Sequence, residues 1–283
     1  MIYHVGISGG KDSGAALLFM VQESGIAREQ IRATFCDTGN EAAETYDHVR
    51  MLADRVHPIE WIKPPLNFYE LAKKKKRFPS VKSRFCTQEL KLKPTKTFID
   101  ELLRAGETVI AVNGVRGEES EARAKLSEWG DPVESYFGIK EWRPLLRWKL
   151  NDVIAIHRRY GVPMNPLYSM GAQRVGCLPC IMSRKSEIRN LAKRWPERID
   201  LLRRQEKSGE RFHSFFGPDK VPEIHRRQEI VTAGGEKIMV ASIDDVVAWS
   251  RTSDRLHNNS QYALFFEKDA DAEVCPATMG ACE

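Results

Sequence analysis

The sequence predicts an α/β fold, a doubly wound parallel sheet with a smaller, mostly helical region towards the C-terminal end. Three observations carry that expectation. Apolar runs of strand length alternate with longer stretches of helical periodicity from residue 3 onward. One run, residues 107–113, has an apolar centre suited to a strand buried on both faces. Three strands end in polar, glycine-containing turns, and parallel strands bring such turns together at one edge, where ligands bind.

Taken in order, residues 3–7 read as a short buried strand and residues 14–22 as a helix with Leu17, Leu18 and Val21 on one face. Residues 31–36 are a second strand. Residues 41–56 carry helical spacing through Ala43, Tyr46, Val49 and Leu52, and residues 59–62 are a third strand. Residues 73–77 are five consecutive cations, read as a solvated face or loop; with Lys82, Arg84, Lys91 and Lys93 they form a candidate basic surface. A capped helix is expected to start at Asn151-Asp152. The segment 182–229 reads as mostly helical and charged, with Trp195, Phe212, Phe215 and Phe216 interleaved as packing for a helical cap. A turn at 232–236 and a short helix over 242–250 capped by Ser242 follow, and the chain reads as loop after Arg255.

Composition narrows the chemistry. The 283 residues are 42% hydrophobic and 29% charged, the balance of a globular protein with a sizeable core. No apolar run has the length to span a bilayer, and the first residues lack a basic segment followed by an apolar core, so a cytoplasmic location without membrane contact is expected. In that setting six cysteines read as thiols or metal ligands rather than disulfides. The net charge of +5 suits an anionic ligand.

The most informative stretch is Ser8-Gly9-Gly10-Lys11-Asp12-Ser13, between the first strand and the first helix. A glycine-rich turn there exposes backbone N–H groups at the positive end of a helix, a cradle for phosphate. Gly9 and Gly10 permit close approach, Ser8 and Ser13 offer hydroxyls, and Lys11 reaches a phosphate oxygen. Asp12 fits only if it holds a cation or caps the helix. The spacing is neither Gly-x-x-x-x-Gly-Lys-Ser/Thr nor Gly-x-Gly-x-x-Gly. An ordinary glycine-rich turn is the plain alternative.

The hexapeptide resembles the PP-loop of N-type ATP pyrophosphatases, Ser-Gly-Gly-x-Asp-Ser, at every fixed position. Asp37-Thr38-Gly39-Asn40 with Glu44-Thr45 resembles a segment of the phosphoadenosine-phosphosulfate (PAPS) reductase-like branch of these proteins; read from the residues alone, Asp37 accepts from a ribose hydroxyl or caps the next helix. Gly114-Val115-Arg116-Gly117-Glu118-Glu119-Ser120 is similar to the same family's turn. There Arg116 is a forked donor for phosphate or sulfate, Glu119 orients it or holds a metal-bound water, and Glu118 and Glu121 read as solvated helix-start charges. Further similar segments run through Cys86-Thr87 to Pro94, Trp142 to Trp148, Asn165 to Tyr168 and Arg174 to Cys180. The resemblance covers residues 3–180 and implies a sheet of the adenine nucleotide alpha hydrolase (HUP/PP-loop) type. It divides the chain into a nucleotide-binding α/β domain, 1–170, and a cysteine-containing helical region, 171–283. The nucleotide site it implies comprises Ser8, Gly9, Gly10, Lys11, Asp12, Ser13, Asp37, Thr38, Gly39, Gly114, Arg116 and Glu119.

The same resemblance implies a 4Fe-4S cluster on Cys86, Cys177 and Cys180, with Cys275 or Cys282 as a fourth ligand or an open fourth iron. The reductases have two adjacent cysteines where this chain has Cys86-Thr87. A zinc site and a redox Cys-x-x-Cys pair stay open, while Cys36, on a strand, reads as a buried small residue. Two reactions share the family's fold. In one, ATP with Mg²⁺ adenylylates a substrate at Lys11, Asp12, Ser13 and Arg116 before sulfur transfer, with a cysteine desulfurase as sulfur donor. In the other, PAPS or adenosine phosphosulfate (APS) is reduced through a C-terminal thiolate such as Cys282, with a thioredoxin-like reductant. The undamaged loop favours the first, since reductases carry a degraded version. A non-catalytic nucleotide sensor or nucleic-acid-binding subunit is the third reading, with nucleic acid as a further candidate partner.

Overall fold

The computed structural model describes residues 1–208, 214–217, 220–232 and 234–252. β1 (Ile2–Ile7), α1 (Lys11–Gln22), β2 (Ile31–Cys36), α2 (Ala43–Arg55) and β3 (Ile59–Ile62) open the chain, strand and helix alternating. α3 (Phe68–Lys75), the short α4 (Phe85–Thr87), a π-helical turn (Gln88–Leu92) and α5 (Lys93–Arg104) lead to β4 (Val109–Val112). After α6 (Glu121–Ala124), the strands β5 (Trp129–Gly130) and β6 (Lys140–Trp142) complete a six-stranded sheet in the order β3-β2-β1-β4-β6-β5. Every pairing is parallel except the β5–β6 edge. β1 is central, and the strand order reverses between it and β4. Ligands of doubly wound sheets bind at that point, beyond the strands' carboxyl ends.

Period-two alternation explains the two covered faces. Val5 and Ile7 of β1 join Ala33 and Phe35 of β2 against Leu17 and Leu18 of α1, Leu52 of α2, and Val153 and Ile156 of α7 (Leu150–Arg159). Ile2, Val109 and Ala111 point the other way, onto Ile99 of α5. His4 shares that second face, its Nε2 2.8 Å from Thr34 Oγ1 and its ring 5.5 Å from Phe98, and burial lowers its pKa to about 4.

The rest of the described chain forms α8 (Lys185–Arg194), α9 (Pro196–Lys207), the hairpin β7 (Gln228–Val231) and β8 (Lys237–Val240), and α10 (Ile243–Arg251). Ile188, Leu191, Leu202, Phe215, Phe216, Ile243 and Val246 form a second core, to which Phe68, Leu71, Phe78, Phe85 and Leu90 from the first half also contribute. Ser242 caps α10 as expected, in a capping box with Asp245. Other expectations need correction. The first helix begins at Lys11 rather than residue 14, with Gly10, still extended at φ −88° and ψ 160°, as its cap. The α7 cap is Lys149, with the Asp152 carboxylate accepting its N–H at 2.7 Å, and Asn151 lies inside the helix. The segment 182–229 is helical only as far as Lys207, and β7 and β8, too short and polar to announce themselves, flank the expected turn. Residues 73–75 close α3, where lysines suit the negative end of the helix dipole. Phe212, and the expected loop beyond residue 255, lie outside the described residues.

Glu206 of α9 ties this second core together, accepting from the Phe215 and Ile243 N–H groups at 2.7 and 2.8 Å. Burial raises its pKa to about 7 against the pull of those two donors, with Asp244 and Asp245 adding to the rise. The folded chain therefore holds a proton that the unfolded chain has released in the window between the ordinary carboxylate range and about 7. Stability present below that window is lost as pH rises through it. Thermal unfolding should give a lower Tm at pH 8 than at pH 5.5, and Glu206→Gln should flatten the difference; equal slopes in both proteins would assign the effect elsewhere.

Candidate functional site

Three turns meet at the carboxyl edge of β1, β2 and β4, as the parallel sheet requires. Gly9 has φ +75°, and a Cβ there would lie 2.6 Å from Thr45 Cγ2, so only glycine lets the loop sit this close to α2. Gly10 caps α1 without any side-chain hydrogen bond, which leaves the helix's N-terminal N–H groups facing the loop. Ser13 Oγ donates to the Gly10 carbonyl at 2.9 Å, accepts from the Ser8 N–H at 3.2 Å and lies 3.2 Å from Ser8 Oγ. The third turn presses on the first: a Cβ on Gly114 would stand 2.7 Å from the Asp12 carbonyl oxygen.

Charge is concentrated there. The Asp12 carboxylate takes Lys11 Nζ on one oxygen and Arg116 Nε on the other, both at 2.7 Å. Lys11 and Arg116 side chains are 6% and 5% exposed and Asp12 20%, so the cluster is sheltered from water and its attractions are strong. Lys11 Nζ also lies 5.5 Å from the Tyr168 ring centre. Arg116 Nη1 donates to Glu118 at 2.6 Å, and the same oxygen accepts the Leu150 N–H at 2.9 Å. Glu118, expected to be merely solvated, thus links Arg116 to the start of α7. Glu119 accepts from the Arg116 N–H at 3.4 Å and pairs with Arg123.

In the second turn, Asp37 accepts from the Gly39 N–H at 2.9 Å and from the Tyr46 hydroxyl at 2.7 Å. It therefore shapes its own turn. It does not cap α2, whose cap is Ala42 with no side-chain bond. Gly39 has φ +69° and leaves no room for a Cβ, which would lie 2.8 Å from Asn67 Cβ.

Several supports of this edge escaped sequence reasoning. Asn165 Nδ2 donates to the Gly9 carbonyl at 3.0 Å, Tyr168 Oη accepts the Lys11 N–H at 3.1 Å, and His157 Nε2 lies 2.9 Å from the Lys11 carbonyl. Glu41 is 2% exposed and accepts from Thr38 Oγ1 at 2.7 and 2.8 Å, the Thr38 N–H at 3.2 Å, the Asn40 N–H at 3.3 Å and Tyr46 Oη at 3.3 Å. Asn165 and Tyr168 stand in a noted motif, whereas nothing in the local pattern marks Glu41 or His157.

Glu41 also leads to the cysteines. It forms an isolated β-bridge with Cys177, whose thiol donates to Glu41 Oε1 at 3.6 Å, and the Leu178 N–H donates to the Asn40 carbonyl at 2.7 Å. A cavity of about 260 Å³ lies here, lined by Cys86, Cys177, Cys180, Lys91, Arg84 and Arg174 among others, with Thr38 and Val175 on the side nearest the phosphate loop. Burial pushes the Cys177 thiol up to about 11 against the attraction of Lys91, and it raises Cys86 as well, with Cys180 adding to both. Lys91 is held charged chiefly by Cys177. Cys36 is turned away, its Sγ 3.3 Å from Thr95 Oγ1.

Among the described residues, no three His, Cys, Asp or Glu side chains already stand as a metal-binding group. The donor chemistry nonetheless suits an anionic iron–sulfur group. Three cysteines share one cavity with a buried ammonium, and the Tyr69 hydroxyl, a donor, is buried without a hydrogen-bond partner. Cys275 and Cys282 lie outside the described residues. No helix among the described residues is long and apolar enough to cross a membrane.

A substitution tests the close approach at the loop. Gly9→Ala should cost about 1–3 kcal/mol in urea unfolding, from positive φ together with the Thr45 clash, and Thr45→Ser should recover part of it. An unchanged midpoint in Gly9→Ala would mean that the loop does not require glycine there.

A sequence profile of the phosphoadenosine phosphosulfate reductase domain matches residues 3–183. The uncharacterized 37.8 kDa protein in the gpa 5′ region of Escherichia phage 186 is 32% identical over 99% of this chain and 96% of that protein. An adenosine 5′-phosphosulfate reductase of Burkholderia cepacia is 36% identical over 84 residues, which span 30% of this chain and 33% of that enzyme. The crystal structure of phosphoadenylyl-sulfate (PAPS) reductase from Candida auris, a phosphate complex, superposes with a TM-score of 0.50 at 22% identity over 64% of this chain and 83% of that one, a likeness of fold.

Proposed function

The chain belongs to the phosphoadenosine phosphosulfate reductase domain family, and on that premise we propose that it is an ATP pyrophosphatase that adenylylates a substrate for sulfur transfer. The observation that carries this reading is the intact loop Ser8–Ser13 with its sheltered Lys11–Asp12–Arg116 cluster. Attack by a substrate oxygen on the α-phosphorus breaks the bond to the β-phosphate, and pyrophosphate leaves with the electron pair. Gly9, Gly10 and Ser13 hold the departing pyrophosphate at the α1 N-terminus, where helix dipole and N–H groups favour anions. Lys11 and Arg116 neutralise the charge that develops on it, exchanging Asp12 for phosphate oxygens. Asp12, so released, faces Mg²⁺. Asp37 and Thr38 line the nucleoside side, and Gly114 and Glu119 keep Arg116 in place.

Sulfur chemistry belongs to the neighbouring cavity. Cys86, Cys177 and Cys180 would hold a 4Fe-4S cluster, with Cys275, Cys282 or an open iron completing it, and such a cluster would supply a site for sulfur or electrons. Val175 lines the cavity and its carbonyl oxygen lies 3.9 Å from where a Cβ on Gly10 would stand, which supports one reaction path through cavity and loop. Sulfur comes from a donor such as a cysteine desulfurase. A second reading, thiol-dependent reduction of APS or PAPS, is favoured by the similarity to the Burkholderia enzyme. In it a C-terminal thiolate such as Cys282 attacks the sulfonate sulfur, the S–O bond breaks and the nucleotide phosphate leaves with the electron pair. A thioredoxin-like dithiol then reduces the sulfocysteine to thiol and sulfite, itself becoming a disulfide.

Two assays separate these readings: pyrophosphate release from ATP, and sulfite release from APS or PAPS with thiol. Lys11→Ala should lower kcat/KM for pyrophosphate release by about 10²–10³-fold with an unchanged circular dichroism spectrum. Sulfite release without ATP cleavage would move the assignment to the reductase. Anaerobically purified protein should show broad visible absorbance and about four irons per chain, both lost in Cys177→Ser. A colourless protein containing zinc would end the iron–sulfur assignment.

A further inference from the structure

His157, on α7, passes beneath the first turn of α1. It fits because Gly14 has no side chain: a Cβ there would lie 2.9 Å from His157 Cε1 and 3.3 Å from Nε2. Both ring nitrogens face backbone carbonyls, Nε2 at 2.9 Å from Lys11 O and Nδ1 at 3.1 Å from Val162 O. Neither acceptor can donate in return. A neutral imidazole carries one N–H and must turn a lone pair on one of the two oxygens, whereas the imidazolium donates to both.

We infer that His157 is a positioning residue of the phosphate loop, and that it takes up a proton when an anion occupies the loop, locking the Lys11 carbonyl and with it the N-terminal turn of α1. This inference rests on the loop being a phosphate site and does not require adenylyl transfer. The surroundings set the direction. From α1, the Asp12 carboxylate favours the charged ring and the Lys11 ammonium opposes it; from α2, the facing titratable group is His48. Burial keeps His48 itself neutral, its pKa lowered to about 4, and leaves its Nε2 without a partner. Burial also holds His157 below the ordinary histidine range in the empty site, despite its two carbonyls. Phosphate arriving above Lys11 adds negative charge on the far side of the same turn and engages the Lys11 ammonium, which opposes the charged ring. Both changes favour the imidazolium. By linkage, phosphate binds more tightly below the pKa that the ring has in the occupied site, and the gain is lost as pH rises through that value.

The test uses the full chain with ATP and, separately, inorganic pyrophosphate. Calorimetric binding in two buffers of different ionisation enthalpy should report net proton uptake in the wild type. His157→Gln, which keeps an amide donor and cannot titrate, should lose that uptake; taking the difference between the two proteins removes the ligand's own titration. The affinity of the wild type relative to His157→Gln should rise by about three- to tenfold between pH 8 and pH 5.5. Histidine-selective NMR of the wild type gives an independent readout should the variant fold poorly: one buried ring should titrate at higher pH with ATP bound than without. Identical proton uptake in wild type and variant, or no shift of any ring's titration on saturation with ATP, would overturn the inference. Proton uptake in a protein that never releases pyrophosphate would uphold it and remove the adenylyl-transfer reading alone.

Discussion

The buried carboxylate of Glu41 holds the two halves of the site in register. It gathers the Thr38 hydroxyl and amide, the Asn40 amide, the Tyr46 hydroxyl and the Cys177 thiol, while its backbone bridges Cys177 and its carbonyl accepts from Arg198 Nη2 at 2.8 Å. A carboxylate out of water is tolerated only when donors surround it, so these partners are held as firmly as the charge is costly to strand. Through Glu41 the turn after β2 becomes the wall shared by the phosphate loop and the cysteine cavity. Removing this one side chain would leave Thr38, Cys177 and Tyr46 without their common acceptor, and would disturb the turn after β2 and the cysteine cavity together.

The phosphate loop is likewise held from a distance. Its own residues supply the glycine turn and the hydroxyl contacts, but Asn165, Tyr168 and His157, roughly 150 positions later in the chain, secure three of its backbone groups. The switch-point topology makes this economical. With β1 central and β4 on its far side, the third turn lands on Asp12, and α7 packs along α1, so that the later segments of the chain return to the loop. Lys11, Asp12 and Arg116 form a cluster that is satisfied without ligand. A cradle closed by internal ion pairs does not collapse in the absence of phosphate, yet those pairs can be exchanged for phosphate oxygens because each is a charge–charge contact of the same kind.

Much was legible in the sequence because it is local. Strands β1, β2 and β3 follow from short apolar runs, α10 from its Ser242 capping box, and the loop from two glycines in a strand–turn–helix setting. What the local pattern left out is equally instructive. Glu118 is half exposed, as its charged surroundings suggest, yet it is also the second partner of Arg116; Asp37, read as a ribose acceptor or a helix cap, does not cap α2 and folds back on Gly39 and Tyr46. β5 and β6 carry too few residues for alternation to register, and they become strands only because β4 offers an open edge.

The sequence by itself determined the fold class, the glycine-rich strand–turn–helix setting of Ser8–Ser13 and the presence of a Cys177-x-x-Cys180 segment later in the chain. Each rests on residue types and spacings along a few neighbouring positions, where backbone geometry follows from local chemistry. Only the tertiary structure decided which charges neutralise one another, that Glu41 joins the turn after β2 to Cys177, and that His157 lies beneath Lys11 between two carbonyls. Those outcomes depend on contacts across more than a hundred residues, whose register is set by the packing of α7 on α1 and of the second core on α3, and no local pattern encodes that register.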